Sequence, residues 1–181
     1  TDHDGILNAP KKYGGKNVSL ELTYDTNDSF HQKATKVLKE NAKKIGVDLK
    51  LKPVEYNTMV TKVMNESDFE MHMGKWGAFD EPRETFNTLF NSKADLNFMG
   101  VDDPKLDKVM KDAVITPNEE DAKQDVFKEQ EWFINNFPVV PIYVQKFNLA
   151  YNSKNFDGFK VFPGDLEGLV APNSLIHVYQ K

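Results

Sequence analysis

The sequence predicts an α/β fold built on a β-α-β-α-β core with a mixed sheet. Three observations carry this reading. Three short segments of the first half have the look of strands, two of them with apolar and polar residues in alternation. Two amphipathic segments of helical period separate them. The second half then changes to longer helical stripes followed by proline-flanked apolar runs. Strands that alternate with helices are expected to lie parallel, joined by right-handed crossovers.

The elements follow in order. In "TDHDG", Asp2, Asp4 and Gly5 are spaced as in a calcium loop, but the closing bidentate Glu is missing, so a polar turn is expected. Gly14 and Gly15 mark a turn into "VSLELTY", where Val18, Leu20, Leu22 and Tyr24 alternate as in a strand. Ser29 with Gln32 forms a capping-box pattern, and Phe30, Ala34, Val37, Leu38 and Ile45 predict one helical face stopped by Gly46. "VDLKLKPV" is the second strand. Tyr56, Met59, Val60, Val63 and Met64 then mark a second amphipathic helix. "FEMHMGKW", residues 69–76, is the third strand, with the appearance of a buried one.

The second half is less regular. "ETFNTLF" suggests a short helix. Asp103 and Pro104 form an N-cap and first helical residue ahead of Leu106, Val109, Met110 and Ala113. Asn118 caps a long helix with Ala122, Val126, Phe133 and Phe137 inward. "PVVPIYV" is expected as a buried strand at a sheet edge or end, continued or paired by "FNLAYN", and "LIHVY" as a last extended piece.

Composition narrows the function. A net charge of −5, with lysines interleaved among Asp and Glu, argues against a nucleic-acid partner. No stretch approaches the ~20 apolar residues that span a bilayer. With no cysteine, disulfides, thiolate metal sites and Cys nucleophiles are excluded within these residues. His3, His31, His72 and His177 form no metal-type pair, and no P-loop, G-x-G-x-x-G or G-x-S-x-G occurs, so neither metal nor cofactor is expected.

In open α/β sheets ligands sit outside the carboxyl ends of the parallel strands. Two loops qualify. "DTND" offers Asn27 and Asp28 at a helix N-terminus whose N–H groups can hold an anion. "KWGAFDEPRE" offers Gly74 and Gly77 for close backbone approach, Trp76 and Phe79 as flat apolar surface, Ala78 between them, and Asp80 as a charge for an ammonium group. A plain turn and helix start at Asp80, Glu81 and Pro82 fits the pattern equally well. A carboxylate pair drawn from Glu70, Asp80, Glu81 and Glu84 would instead make a small hydrolase using Asp80 or Glu84.

The ordered set "ENAKKIGVDLKLKPVEYNTM", "FEMHMGKWGAFDEP", "NFMGVDDPKLDKVM" and "FPVVPIY" resembles the C-terminal lobe of the family 5 extracellular solute-binding proteins, the peptide, dipeptide and nickel receptors of ABC importers. The resemblance runs from about Val18 to Tyr151. It implies a periplasmic-binding-protein-like type II fold. Residues 1–17 would be a lead-in and 18–181 one lobe of a two-lobe receptor, with the N-terminal lobe absent from this chain. Absence of a signal peptide and of a lipid-anchor cysteine would follow, and the whole receptor would be an extracytoplasmic, periplasmic or lipid-anchored protein. The implied partners are an oligopeptide or other small solute, the membrane permease of the importer and the receptor's own N-terminal lobe. The implied action is closure of two lobes on a ligand, without catalysis. A stand-alone protein-interaction domain is the remaining alternative. In peptide-binding members, the Trp after the third strand is followed three residues later by an Asp that pairs with the peptide's α-ammonium. Trp76 matches that Trp, the Asp position is held by Phe79, and Asp80 comes one residue later. Either Asp80 takes over the role in a remodelled loop or the ammonium anchor is lost.

Overall fold

Strand β1, Ser19–Asp25, lies at the centre of a three-stranded parallel sheet ordered β2-β1-β3, with β2 at Asp48–Val54 and β3 at Met71–Met73. Helix α1, Ser29–Lys44, links β1 to β2, and helix α2, Tyr56–Val60, runs into a π-helical turn at Thr61–Asn65 before β3. This is the expected β-α-β-α-β order. The computed structural model describes residues 3–76, 82–144, 150–160 and 175–181. The chain divides into two compact units, Thr1–Lys75 and Trp76–Lys181.

In the first unit the central place of β1 decides its burial. A strand paired on both sides and covered on both faces loses the one-in, one-out pattern. Leu22, Thr23 and Tyr24 are accordingly all buried, whereas Leu20, near the open end, is 37% exposed. Edge strand β2 accepts Pro53, opposite Tyr24, because a strand at an edge can do without one N–H. The predicted eight-residue third strand shrinks to three residues, of which Met73 alone is buried. It is an edge strand. The Glu70 carboxylate takes the Glu21 N–H at 2.6 Å, so a side chain substitutes for the ladder just before β3 begins.

Helix α1 packs on the sheet through a stripe that keeps Ala34 of the predicted face but not Val37, Leu38 or Ile45. Ala34 and Ala42 press against Leu22, Tyr24, Leu49 and Met73, and His31 and Thr35 are buried beside them, while Val37 and Ile45 are 56% and 68% exposed. Small residues let a helix approach a sheet closely, and the periodicity of large apolar residues does not reveal that preference. Gly46 does end this stretch in a left-handed conformation at φ 78°, where a side chain would run into Leu7. The lead-in is tied to the same place, since Leu7 N–H donates to Gly46 O at 2.7 Å and Val18 N–H to Leu7 O at 2.7 Å. Asp4 accepts from the Ile6 N–H and from Asn17 Nδ2, as suits a polar turn.

The second unit is helical: α3 at Pro82–Phe90, α4 at Pro104–Ile115 and α5 at Glu119–Asn136. Leu89, Phe90, Val101, Leu106 and Met110 form its core, with Phe86, Trp132 and Phe133 packed against them. Both predicted caps are present: the Asp103 side chain accepts from Lys105 and Leu106 N–H, and Asn118 from Glu120 and Asp121 N–H.

Three expectations change here. Phe137 is not inward; it ends α5 in a left-handed conformation and is 66% exposed. Residues 138–144 form no strand, and Val140, Ile142, Tyr143 and Val144 are exposed. Pro138 and Pro141 lack donors, and no strand pairs with this run among the described residues. The "LIHVY" piece is extended only from Tyr179, where β5, Tyr179–Gln180, pairs antiparallel with β4, Phe156–Asp157. The antiparallel pair thus forms a ladder of its own instead of joining the parallel sheet. Of "FNLAYN", residues 147–149 lie outside the described residues, and 150–152 are not in a strand.

Candidate functional site

The parallel pairing of β1 with β3, from Leu22↔Met71 to Tyr24↔Met73, brings their carboxyl ends side by side. The two loops singled out in the sequence therefore begin next to each other. Residues 25–28 follow β1, and Gly74 and Lys75 follow β3.

Asn27 is exposed, and its N–H donates to Asp25 Oδ1 at 2.8 Å in a local turn. Asp28 is the N-cap of α1, displacing the predicted Ser29–Gln32 box. Its Oδ1 accepts from Phe30 and His31 N–H at 2.9 and 3.0 Å, while Gln32 Nε2 turns back to the Thr26 carbonyl. The N–H groups expected to hold an external anion are thus already taken by Asp28. Its other oxygen, Oδ2, lies 3.0 Å from Lys75 Nζ. Burial pushes the Asp28 carboxyl up, but the His31 amide and Lys75 outweigh it and hold the group at about 2. Asp28 is therefore ionised across the physiological range.

Behind this edge stand two histidines. His31 is 3% exposed, and its Nδ1 has no hydrogen-bond partner among the described residues. His72 on β3 is half-buried, and burial, followed by repulsion from His31, pushes its imidazole below the ordinary range. Both suit the default of a structural histidine.

Trp76 opens the second unit. Its indole stacks on the Phe98 ring at 5.6 Å between centroids and 11° between planes, and the residue is 39% exposed. It is neither enclosed in a core nor standing clear of the fold. A stacked, partly solvated aromatic surface of this kind is suited to a ligand floor. Gly77, Ala78, Phe79, Asp80 and Glu81 lie outside the described residues. Glu84 is exposed in the first turn of α3, where a carboxylate complements the helix dipole. Glu70 is engaged by the Glu21 amide. No described group of three or more His, Cys, Asp or Glu is arranged to hold a metal ion.

Sequence reasoning missed two features. The partnership of Asp28 with Lys75 joins residues 47 positions apart and needs the strand register to be seen. Glu129, fully buried on α5, lies on the same face as Ala122 at helical spacing, but a lone acid on an apolar stripe reads first as solvated. A broad, open recess of about 550 Å³ in the second unit, lined by Asn87, Thr88, Asn91, Lys93, Asp95 and Lys111 among others, includes none of the predicted site residues.

Residues 3–98 match the family model described as "Bacterial extracellular solute-binding proteins, family 5 Middle". The chain is 29% identical over 129 residues to the periplasmic murein peptide-binding protein MppA of Escherichia coli, covering 71% of this chain and 24% of that protein. It is 28% identical over 127 residues to the oligopeptide-binding protein OppA of Bacillus subtilis, covering 68% and 23%. Among solved structures it resembles oligopeptide-binding AppA of Bacillus subtilis in complex with a nonapeptide, with TM-score 0.65 and 25% identity over 76% of this chain and 27% of that one. The chain thus spans about a quarter of the length of the curated relatives it matches. These relatives share the periplasmic-binding-protein type II fold, and they are named as binding proteins, not as enzymes. With more than half of its residues matched by the family model, the chain belongs to the bacterial extracellular solute-binding proteins of family 5.

Proposed function

We propose that this chain is one lobe of an oligopeptide receptor, the substrate-binding component of an ABC importer working outside the cytoplasmic membrane. The observation that supports it most directly is the likeness to a relative solved with a nonapeptide. It is joined by a half-exposed, stacked Trp immediately after the strand end where ligands of such sheets sit. In this reading residues 18–181 form the ligand-closing lobe and 1–17 the lead-in. Residues 76–80 form the floor, Trp76 giving apolar surface, Gly77 and Ala78 backbone access, Phe79 a second ring and Asp80 the charge toward a peptide ammonium. Asn27 and Asp28, in the loop after β1, are further candidates of this reading. Peptide amides bind mainly to backbone groups, and ordered water between lobe and ligand tolerates varied side chains. The receptor then delivers its peptide to the permease. No covalent step is involved.

The test uses the receptor that contains this chain. Calorimetry with a mixed-sequence nonapeptide is expected to show binding that weakens about tenfold or more in Trp76→Ala, since a buried aromatic anchor is worth ~2 kcal/mol. Turnover of a peptide or glycoside substrate that disappears in Asp80→Asn or Glu84→Gln would overturn the receptor reading in favour of a hydrolase.

A further inference from the structure

A surface ion pair contributes little to stability, so its use must be sought in what it holds in place. Lys75 is the last residue of the first unit and is bonded to Trp76. The β1–β3 pairing reaches no further than Met73. Gly74 follows, with no side chain of its own to pack, and a Cβ there would meet His72 Nε2 at 3.1 Å. The strand ladder therefore stops two residues short of Lys75.

Asp28 supplies a fixed point at that height. It is held on α1 by two backbone N–H groups, and its side chain is only 15% exposed against 66% for Lys75. One end of the pair is thus anchored in a helix, while the other is a long side chain at the chain's exit from the sheet. We propose that Asp28 is a positioning residue. Through Oδ1 it closes the N-terminus of α1, and through Oδ2 it clamps Lys75, fixing where the chain leaves the sheet at the end of the first unit. The floor role of residues 76–80 belongs to the receptor reading above; the clamp itself does not depend on it.

The two duties of Asp28 separate cleanly by substitution. Asn caps a helix as well as Asp, so Asp28→Asn keeps an oxygen for Phe30 and His31 but carries no charge for Lys75. Lys75→Met keeps the side-chain stem and removes the charge from the other side. In the 181-residue chain, the 15N heteronuclear NOE of Gly74, Lys75 and Trp76 is expected to fall in both variants, with Phe30 and His31 unchanged. Raising the salt concentration in the native chain should move the same three signals in the same direction. In the receptor that contains this chain, both variants should weaken nonapeptide binding about fivefold. Unchanged NOE values at Gly74, Lys75 and Trp76 in Asp28→Asn would overturn the clamp. So would a loss spread equally along α1, which marks a cap and nothing more. If the native receptor binds no nonapeptide, the receptor reading fails while the NOE measurement still decides the clamp.

Discussion

Glu129 enters the second unit with its side chain fully buried and neither carboxylate oxygen hydrogen-bonded among the described residues. Burial, reinforced by Asp125 one turn earlier, pushes its carboxyl up to about 7. The folded chain then keeps a proton that the unfolded chain has released, so stability falls as pH rises from the ordinary carboxylate range to about 7 and falls no further above it. The whole effect is on the order of 3 kcal/mol. Urea melts from pH 5 to 8 should show this slope in the native chain and a flattened one in Glu129→Gln. Glu129→Met, close in volume and free of charge, should be more stable than the native chain at pH 8. A slope that survives both substitutions would place the titration elsewhere. Asp28 is the opposite case: its carboxyl, held at about 2, contributes stability above the ordinary carboxylate range that is lost as pH falls toward that value.

The starts of α4 and α5 were legible because capping chemistry is local, whereas at α1 Asp28, not the predicted Ser29, is the cap. Asp103 ahead of Pro104 and Asn118 ahead of three acidic residues both cap as their side chains predict. Tertiary contact added a second duty to Asp103, whose Oδ2 accepts the Trp132 indole N–H of α5 at 2.8 Å and so joins α4 to α5. Asp103→Ala removes the cap and strands that N–H together, a loss of about 1–3 kcal/mol. Asp103→Asn should restore most of the cap, so the difference between the two variants in urea melts measures it, and a red shift of Trp132 emission in Asp103→Ala reports the lost indole contact. Equal stabilities for the native chain and Asp103→Ala would show that neither bond matters. The run at 138–144 failed as a strand for the complementary reason. Apolar residues between two prolines describe a segment that wants burial, but a strand also needs a neighbour, and none of the described residues supplies one.

Across the whole molecule, the chain spans about a quarter of the length of its relatives, and under the receptor reading proposed above it would supply one side of a cleft closed by two lobes. On that reading the 181-residue chain by itself is expected to show no measurable heat with a mixed-sequence nonapeptide, and a receptor with both lobes is expected to bind it. Micromolar binding by the 181-residue chain would show that the site is complete within it and that two-lobe closure is unnecessary. Val37 on α1, Ile45 at its C-cap and Val144 in the run 138–144 are 56%, 68% and 89% exposed.

The sequence by itself determined the alternation of strand and helix, the caps at Asp103 and Asn118, the turn at Gly46 and, through an ordered set of weak motifs, the family. These are recorded in local chemistry: side-chain period, capping oxygens and backbone freedom act over a few residues. Only the tertiary structure decided that β1 is central, that small residues turn α1 inward, that Glu129 is buried, and that Asp28 meets Lys75. Each depends on which surfaces come together across tens of residues, and pairing register and close approach leave no periodic trace in the chain. The stretch "KWGAFDEPRE" is divided between the two kinds of knowledge. Its composition proposed a floor, and the sheet register supplied the partner that holds its first residue.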